Sequence, residues 1–143
     1  IYDPATDEPI GEVFMDGRPK SVVFDPASPQ ARTQRSLEAA FPGQAVQLRS
    51  ASADGNQQLV IVTSDRNPGD FYHFDRAKRS ADLWGSRADW VMPDQMAEAT
   101  PIELKARDGL PLHGYLTTPL GRDAKGLPLV VLPHGGPHQV RDT

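Results

Sequence analysis

Apolar positions in this chain recur mostly at a spacing of two, in short runs cut by turn-forming residues. Ile-Gly-Glu-Val-Phe-Met-Asp at 10–16 reads as a strand closed by Asp16-Gly17, and Lys-Ser-Val-Val-Phe-Asp at 20–25 reads as a second. Ile1-Tyr2 reads as the tail of a strand, with a turn at 3–7. The period then lengthens. Ser28 is placed to cap a helix and Pro29 to occupy its first position, where a missing N–H costs nothing. Leu37, Ala40 and Phe41 fall on one face of that helix, and Pro42-Gly43 stops it.

Four more strands are expected at 45–52, 57–64, 70–75 and 80–85, separated by Asp54-Gly55, by Asn67-Pro68-Gly69 and by residues 76–79. Leu59-Val60-Ile61-Val62 is apolar on both faces, which predicts a central strand covered on both sides. Four short antiparallel strands at this spacing describe one β-propeller blade or part of a sandwich. Such a sheet cannot bury both of its faces alone, so neighbouring sheets are expected. Residues 89–101 differ in character, with Met92-Pro93-Asp94 near one end and Thr100-Pro101 at the other, and read as a linker. Beyond it, strands at 102–106 and 111–118 are joined by Asp108-Gly109 as an antiparallel hairpin. Residues 127–133 form a continuous apolar run, as expected of a strand buried inside a parallel sheet.

Composition narrows the possible functions. The chain has 143 residues, about one domain's worth, with 38% hydrophobic and 24% charged positions. Twelve glycines and fourteen prolines suit short strands and turns better than a helical bundle. A net charge of −4 argues against a nucleic-acid partner. The apolar run at 127–133 is far too short to cross a bilayer, so no membrane partner is expected. The absence of cysteine excludes a disulfide scaffold, a Cys-ligated zinc site and a cysteine nucleophile, and leaves the compartment open between cytoplasm and periplasm. The chain begins at Ile1 without a signal-like segment and stops at Thr143, just after its most motif-like stretch. It reads as a piece of a longer protein.

That stretch is Leu129-Val130-Val131-Leu132-Pro133-His134-Gly135-Gly136-Pro137-His138. Two residues without Cβ at a strand end let the backbone adopt positive φ and let a ligand carbonyl approach main-chain N–H groups. Fixed donors of that kind are what an acyl-transfer enzyme needs to hold a developing oxyanion, each contributing about 3–4 kcal/mol of transition-state stabilisation. The same arrangement, a strand followed by an HGGG-type loop, occurs in α/β-hydrolases.

His134 to His138, following residues 127–133, resembles the oxyanion-side loop of the prolyl oligopeptidase family, in its acylaminoacyl-peptidase and dipeptidyl-peptidase-like branch. Residues 102–110 and 112–119 are similar to the hairpin that opens that family's hydrolase domain. Asp54-Gly55, Ser64-Asp65 and residues 68–75 look like its last propeller blade. The resemblance implies a mostly β fragment: residues 1–88 would be the C-terminal part of a β-propeller with one inserted helix near 29–41. Residues 89–101 would be the linker, and 102–143 the truncated N-terminal strands of an α/β-hydrolase domain. It further implies a serine peptidase that cleaves short peptides through a Ser-Asp-His triad, with no cofactor. The Gly136 N–H would be one oxyanion donor, Gly135 would permit the turn, and His134 would support or line the loop. No G-x-S-x-G occurs here, and triad members in this fold follow the oxyanion loop. No catalytic triad residue is therefore expected in this chain, and the piece by itself is expected to be inactive.

Other polar residues have plainer readings. His134 and His138 are four apart, but Gly135-Gly136-Pro137 forbids the helix that would bring both to one metal, so no metal site is expected. Asp3, Asp7 and Glu8 do not form a recognisable calcium loop. Asp16, Asp54 and Asp108, each before a glycine, are turn residues. Arg32 and Arg35 read as solvated, Arg141-Asp142 as a solvated ion pair, and Tyr115 as packed. Phe71, Tyr72, Phe74, Trp84 and Trp90 read as blade and interdomain packing. Two alternatives stay open: a non-catalytic β-rich module that binds peptide or glycan, and an esterase on the same hydrolase core. Unpaired strand edges predict that the piece self-associates or needs the rest of its protein.

Overall fold

The computed structural model describes residues 1–136. It is mostly β, with three antiparallel sheets and one α-helix. The first sheet is a hairpin of β1 (Gly11–Asp16) and β2 (Arg18–Val23). Its register runs from Gly11 opposite Val23 to Asp16 opposite Arg18, so Gly17 alone makes the turn, with φ of 74°. Only a residue without Cβ reaches that left-handed region at low cost. Pro19 sits inside β2, which has a partner on one side only and can spare the N–H that proline lacks.

Helix α1 (Pro29–Ala40) starts as expected: Ser28 Oγ accepts from the Ala31 N–H at 3.1 Å and proline occupies the first turn. Its buried face is Ala31, Thr33, Gln34 and Leu37. Ala40, expected on that face, is exposed, because the helix ends there and the chain turns away at Pro42-Gly43. Arg32 and Arg35 are exposed, but they are not merely solvated. Their guanidinium groups donate to the carbonyls of Ala27 and Pro26, tying the first two turns of the helix to the loop before it.

The second sheet carries the core. It is a four-stranded meander in chain order: β3 (Ala45–Ala51), β4 (Gln57–Thr63), β5 (Asp70–Asp75) and β6 (Ser80–Ser86). The apolar run in β4 explains its interior place, since Val60 and Val62 are fully buried and Ile61 is 6% exposed. Val46, Val60, Val62 and Phe74 pack with Leu37 of the helix, and Phe41, Leu48 and Tyr72 close the cluster. The Phe41 and Tyr72 rings lie tilted with centroids 4.7 Å apart. Burying each such aliphatic side chain contributes about 1.5–3 kcal/mol, so this layer is the main source of stability in the chain.

Two buried polar residues fix the turns of the meander. Asn67 donates to Gln44 Oε1 and Asp70 Oδ2 and accepts from the Gly69 N–H, which locks the β4–β5 turn. Asp75 accepts from the Lys78 N–H at 3.0 Å and from Gln57 Nε2 at 3.2 Å, with Lys78 Nζ 3.2 Å away, and so fixes the start of the β5–β6 turn.

The third sheet pairs β7 (Ala99–Lys105) with β8 (Pro111–Thr117). The expected hairpin is present, with Gly109 at φ of 89° and the Asp108 carboxylate accepting from the Leu110 N–H. Strand β7 begins earlier than its pattern suggested. Thr100-Pro101 lies within it, with Pro101 opposite Tyr115. An unshared strand edge tolerates that proline. A single 3₁₀ turn at Pro93–Gln95 interrupts the preceding segment.

Residues 127–133 depart most from expectation. They form no strand, and Leu129, Val130, Val131 and Leu132 are each more than three-quarters exposed. A strand buried in a parallel sheet needs a neighbour along each edge and a layer on each face. Among the described residues neither is present beside this run, so its backbone groups turn to water.

Candidate functional site

The candidate loop begins where the apolar run ends. Pro133 stiffens the approach, and the His134 ring Nδ1 lies 2.7 Å from the carbonyl oxygen of Gly135, a contact in which a protonated Nδ1 donates. Gly136 has φ of 141°, a conformation that a residue with a Cβ rarely adopts, whereas Gly135 lies outside the positive-φ range. The glycine requirement of this turn therefore falls on Gly136. A Cβ added at Gly135 would meet no atom within 4 Å. His134, Gly135 and Gly136 are all exposed, and no other segment converges on them among the described residues. Pro137, His138 and Arg141-Asp142 lie outside the described residues.

What the loop offers chemically is a backbone bend rather than an assembled centre. An oxyanion hole needs donors about 2.7–3.1 Å from the position that the oxyanion will occupy. Among the described residues no group of three or more histidine and carboxylate side chains could hold a metal ion. No helix among them is long and apolar enough to cross a membrane.

Hollows also occur elsewhere among the described residues. A shallow groove of about 620 Å³ lies on the four-stranded sheet. Ser50, Leu59, His73 and Asp82 face one another across all four strands in a single row of the register, with Leu83 and Trp84 beside them. Trp84 is 75% exposed and Trp90 77%, whereas Phe74 is buried, so packing within the sheet absorbs only part of the aromatic set. The second hollow, about 290 Å³, is walled by Arg18, Gln44, Asp65, Asn67, Asp70 and Glu98 among others. Here the structure brings together residues that the sequence did not single out as a group. Arg18 lies 3.1 Å from Glu98 and 3.9 Å from Asp65, whose carboxylate also accepts from the Ala99 N–H at 2.7 Å. No local motif marks this set, because its members sit on three separate turns and strands.

Comparison with known proteins supplies a relationship that the geometry alone does not. Over 145 aligned residues the chain is 31% identical to dipeptidyl aminopeptidase BIII of Pseudoxanthomonas mexicana. The similarity supports a relationship to a peptidase at the level of family and no finer. The alignment takes in 96% of this chain but only 20% of that protein, so the chain spans about a fifth of the relative's length. No family model matches the chain, and no solved structure does. The similarity runs through both the four-stranded sheet and the β7–β8 hairpin, since nearly the whole chain is aligned.

Proposed function

We propose that the chain is the segment of a serine peptidase of the prolyl oligopeptidase family in which a β-propeller ends and an α/β-hydrolase domain begins. The observation that carries this reading is the similarity to a dipeptidyl aminopeptidase along 96% of the chain. Three features support it in detail: a four-stranded antiparallel meander, a separate hairpin after it, and a loop whose Gly136 has a left-handed φ after an apolar run. In this reading the full protein hydrolyses short peptides. The Gly136 N–H turns toward the carbonyl oxygen of the scissile bond and stabilises its negative charge, Gly135 gives room for that approach, and His134 braces the loop through its contact with the Gly135 carbonyl. The nucleophile, its base and the orienting acid lie outside this chain, which by itself hydrolyses nothing.

A fluorophosphonate probe and a panel of dipeptidyl anilides tests the reading on the full-length protein. The expected result is labelling of one serine C-terminal to this segment, together with release of dipeptides. Hydrolysis of esters but not of anilides would favour the esterase. The absence of both labelling and turnover would leave a β-rich binding module as the better account.

A further inference from the structure

We propose that the tip of the β1–β2 hairpin and the β7–β8 hairpin form a releasable clasp, closed by Arg18 and Tyr115. Three contacts meet at this tip. Tyr115 Oη on β8 donates to the carbonyl oxygen of Gly17 at 2.7 Å. The Arg18 guanidinium reaches Glu98, just before β7, at 3.1 Å, and Asp65 of the β4–β5 turn at 3.9 Å. The Pro101 ring on β7 lies against Gly17 so closely that a Cβ added there would stand 2.9 Å from its Cγ. The single-residue turn and the proline contact together demand glycine at 17, for two independent reasons.

Besides the hydrogen bond from the Ala99 N–H to Asp65 at 2.7 Å, the clasp is what holds the third hairpin among the described residues. Leu104, Leu110, Leu112 and Leu116 are between 42% and 62% exposed, so among the described residues no apolar layer fastens β7–β8 to the other sheets. The ionic arm is open to solvent: the Arg18 side chain is 46% exposed, that of Glu98 64% and that of Asp65 20%. Ion pairs this exposed are weak and are screened by salt. A few polar contacts and one ring-on-glycine contact can hold an orientation, but they can also let it go while the four-stranded sheet, with its own apolar core, stays intact. The β7–β8 hairpin accordingly has a docked and an undocked position, and ionic strength shifts the balance between them. This inference does not rest on the peptidase reading.

The lack of cysteine allows a direct test on the 143-residue chain. Spin labels on Glu12→Cys and His113→Cys, both exposed, report the distance between β1 and β8. Labels on Ala39→Cys and Ala81→Cys, also exposed, report the helix against the four-stranded sheet. Pulsed electron paramagnetic resonance should give a narrow β1–β8 distribution at low salt. That distribution should broaden at least about twofold in Arg18→Gln/Tyr115→Phe, and should broaden in the parent as salt is raised to about 1 M, where the screening length falls to about 3 Å. The helix–sheet distribution should stay narrow throughout. An unchanged β1–β8 distribution in the double variant would overturn the clasp, as would equal broadening of both pairs or a parent already broad at low salt.

Discussion

Gln34 Nε2 donates to the carbonyl oxygen of Val46 at 3.1 Å and to Glu38 Oε1 at 2.8 Å. Val46 lies on β3, an outer strand of the four-stranded sheet, so one helical side chain covers part of an edge that would otherwise be open to another chain. Glu38 Oε1 also accepts from Ser21 Oγ, which brings β2 into the same network. Gln34 is 2% exposed, and its own Oε1 is buried without a partner among the described residues.

Replacing Gln34 with alanine leaves the Val46 carbonyl without this donor. The expected loss of stability is about 1–3 kcal/mol, the usual cost of stranding a buried polar group. Urea unfolding followed by far-ultraviolet circular dichroism measures it, and a loss below a few tenths would show that water reaches the carbonyl freely.

Leu37 and Trp84 make a contrasting pair. Leu37 is 2% exposed inside the core cluster, so Leu37→Ala should cost about 2–5 kcal/mol through lost burial and the cavity left behind. Trp84→Ala, at a side chain 75% exposed, should change stability by no more than about 0.5 kcal/mol. Equal costs for the two would mean that another surface covers Trp84 in solution, through self-association.

Acid should expose the role of Asp75. The Lys78 N–H and the Gln57 amide both donate to its carboxylate and lower its pKa from 3.8 to about 2, with the Lys78 ammonium adding to the effect. A depressed folded-state pKa means that the unfolded chain takes up the proton first as pH falls. The contribution of Asp75 is therefore complete above pH 3.8 and is lost as pH drops toward 2. Between those values the urea midpoint of Asp75→Asn should fall less steeply than that of the parent. Parallel curves would refute this assignment.

The exposed run Leu129-Val130-Val131-Leu132 carries no charge, and its β-branched and leucine side chains favour strand pairing. The chain should therefore self-associate in a concentration-dependent way, and Val130→Lys should reduce that association. Sedimentation velocity over a range of concentrations decides the matter, and a chain that stays monomeric throughout would count against it.

Local chemistry made much of this fold legible in advance. Alternation and turn residues located β1 through β6 and the β7–β8 hairpin, Ser28-Pro29 located the start of α1, and Leu59-Val60-Ile61-Val62 marked the interior strand. These signals act within a few residues, through hydrogen bonds and side-chain burial that neighbouring positions decide among themselves. The loop at His134-Gly135-Gly136 was equally visible, yet the need for a left-handed φ falls on Gly136, a detail of backbone geometry that composition does not carry. Only the tertiary structure decided the remainder. Residues 127–133 have the composition of a buried strand but lie in water, because a strand forms only where partners satisfy its backbone. The meeting of Arg18, Asp65, Glu98 and Tyr115 was not legible in the sequence, because it depends on where three separate turns and hairpins come to rest.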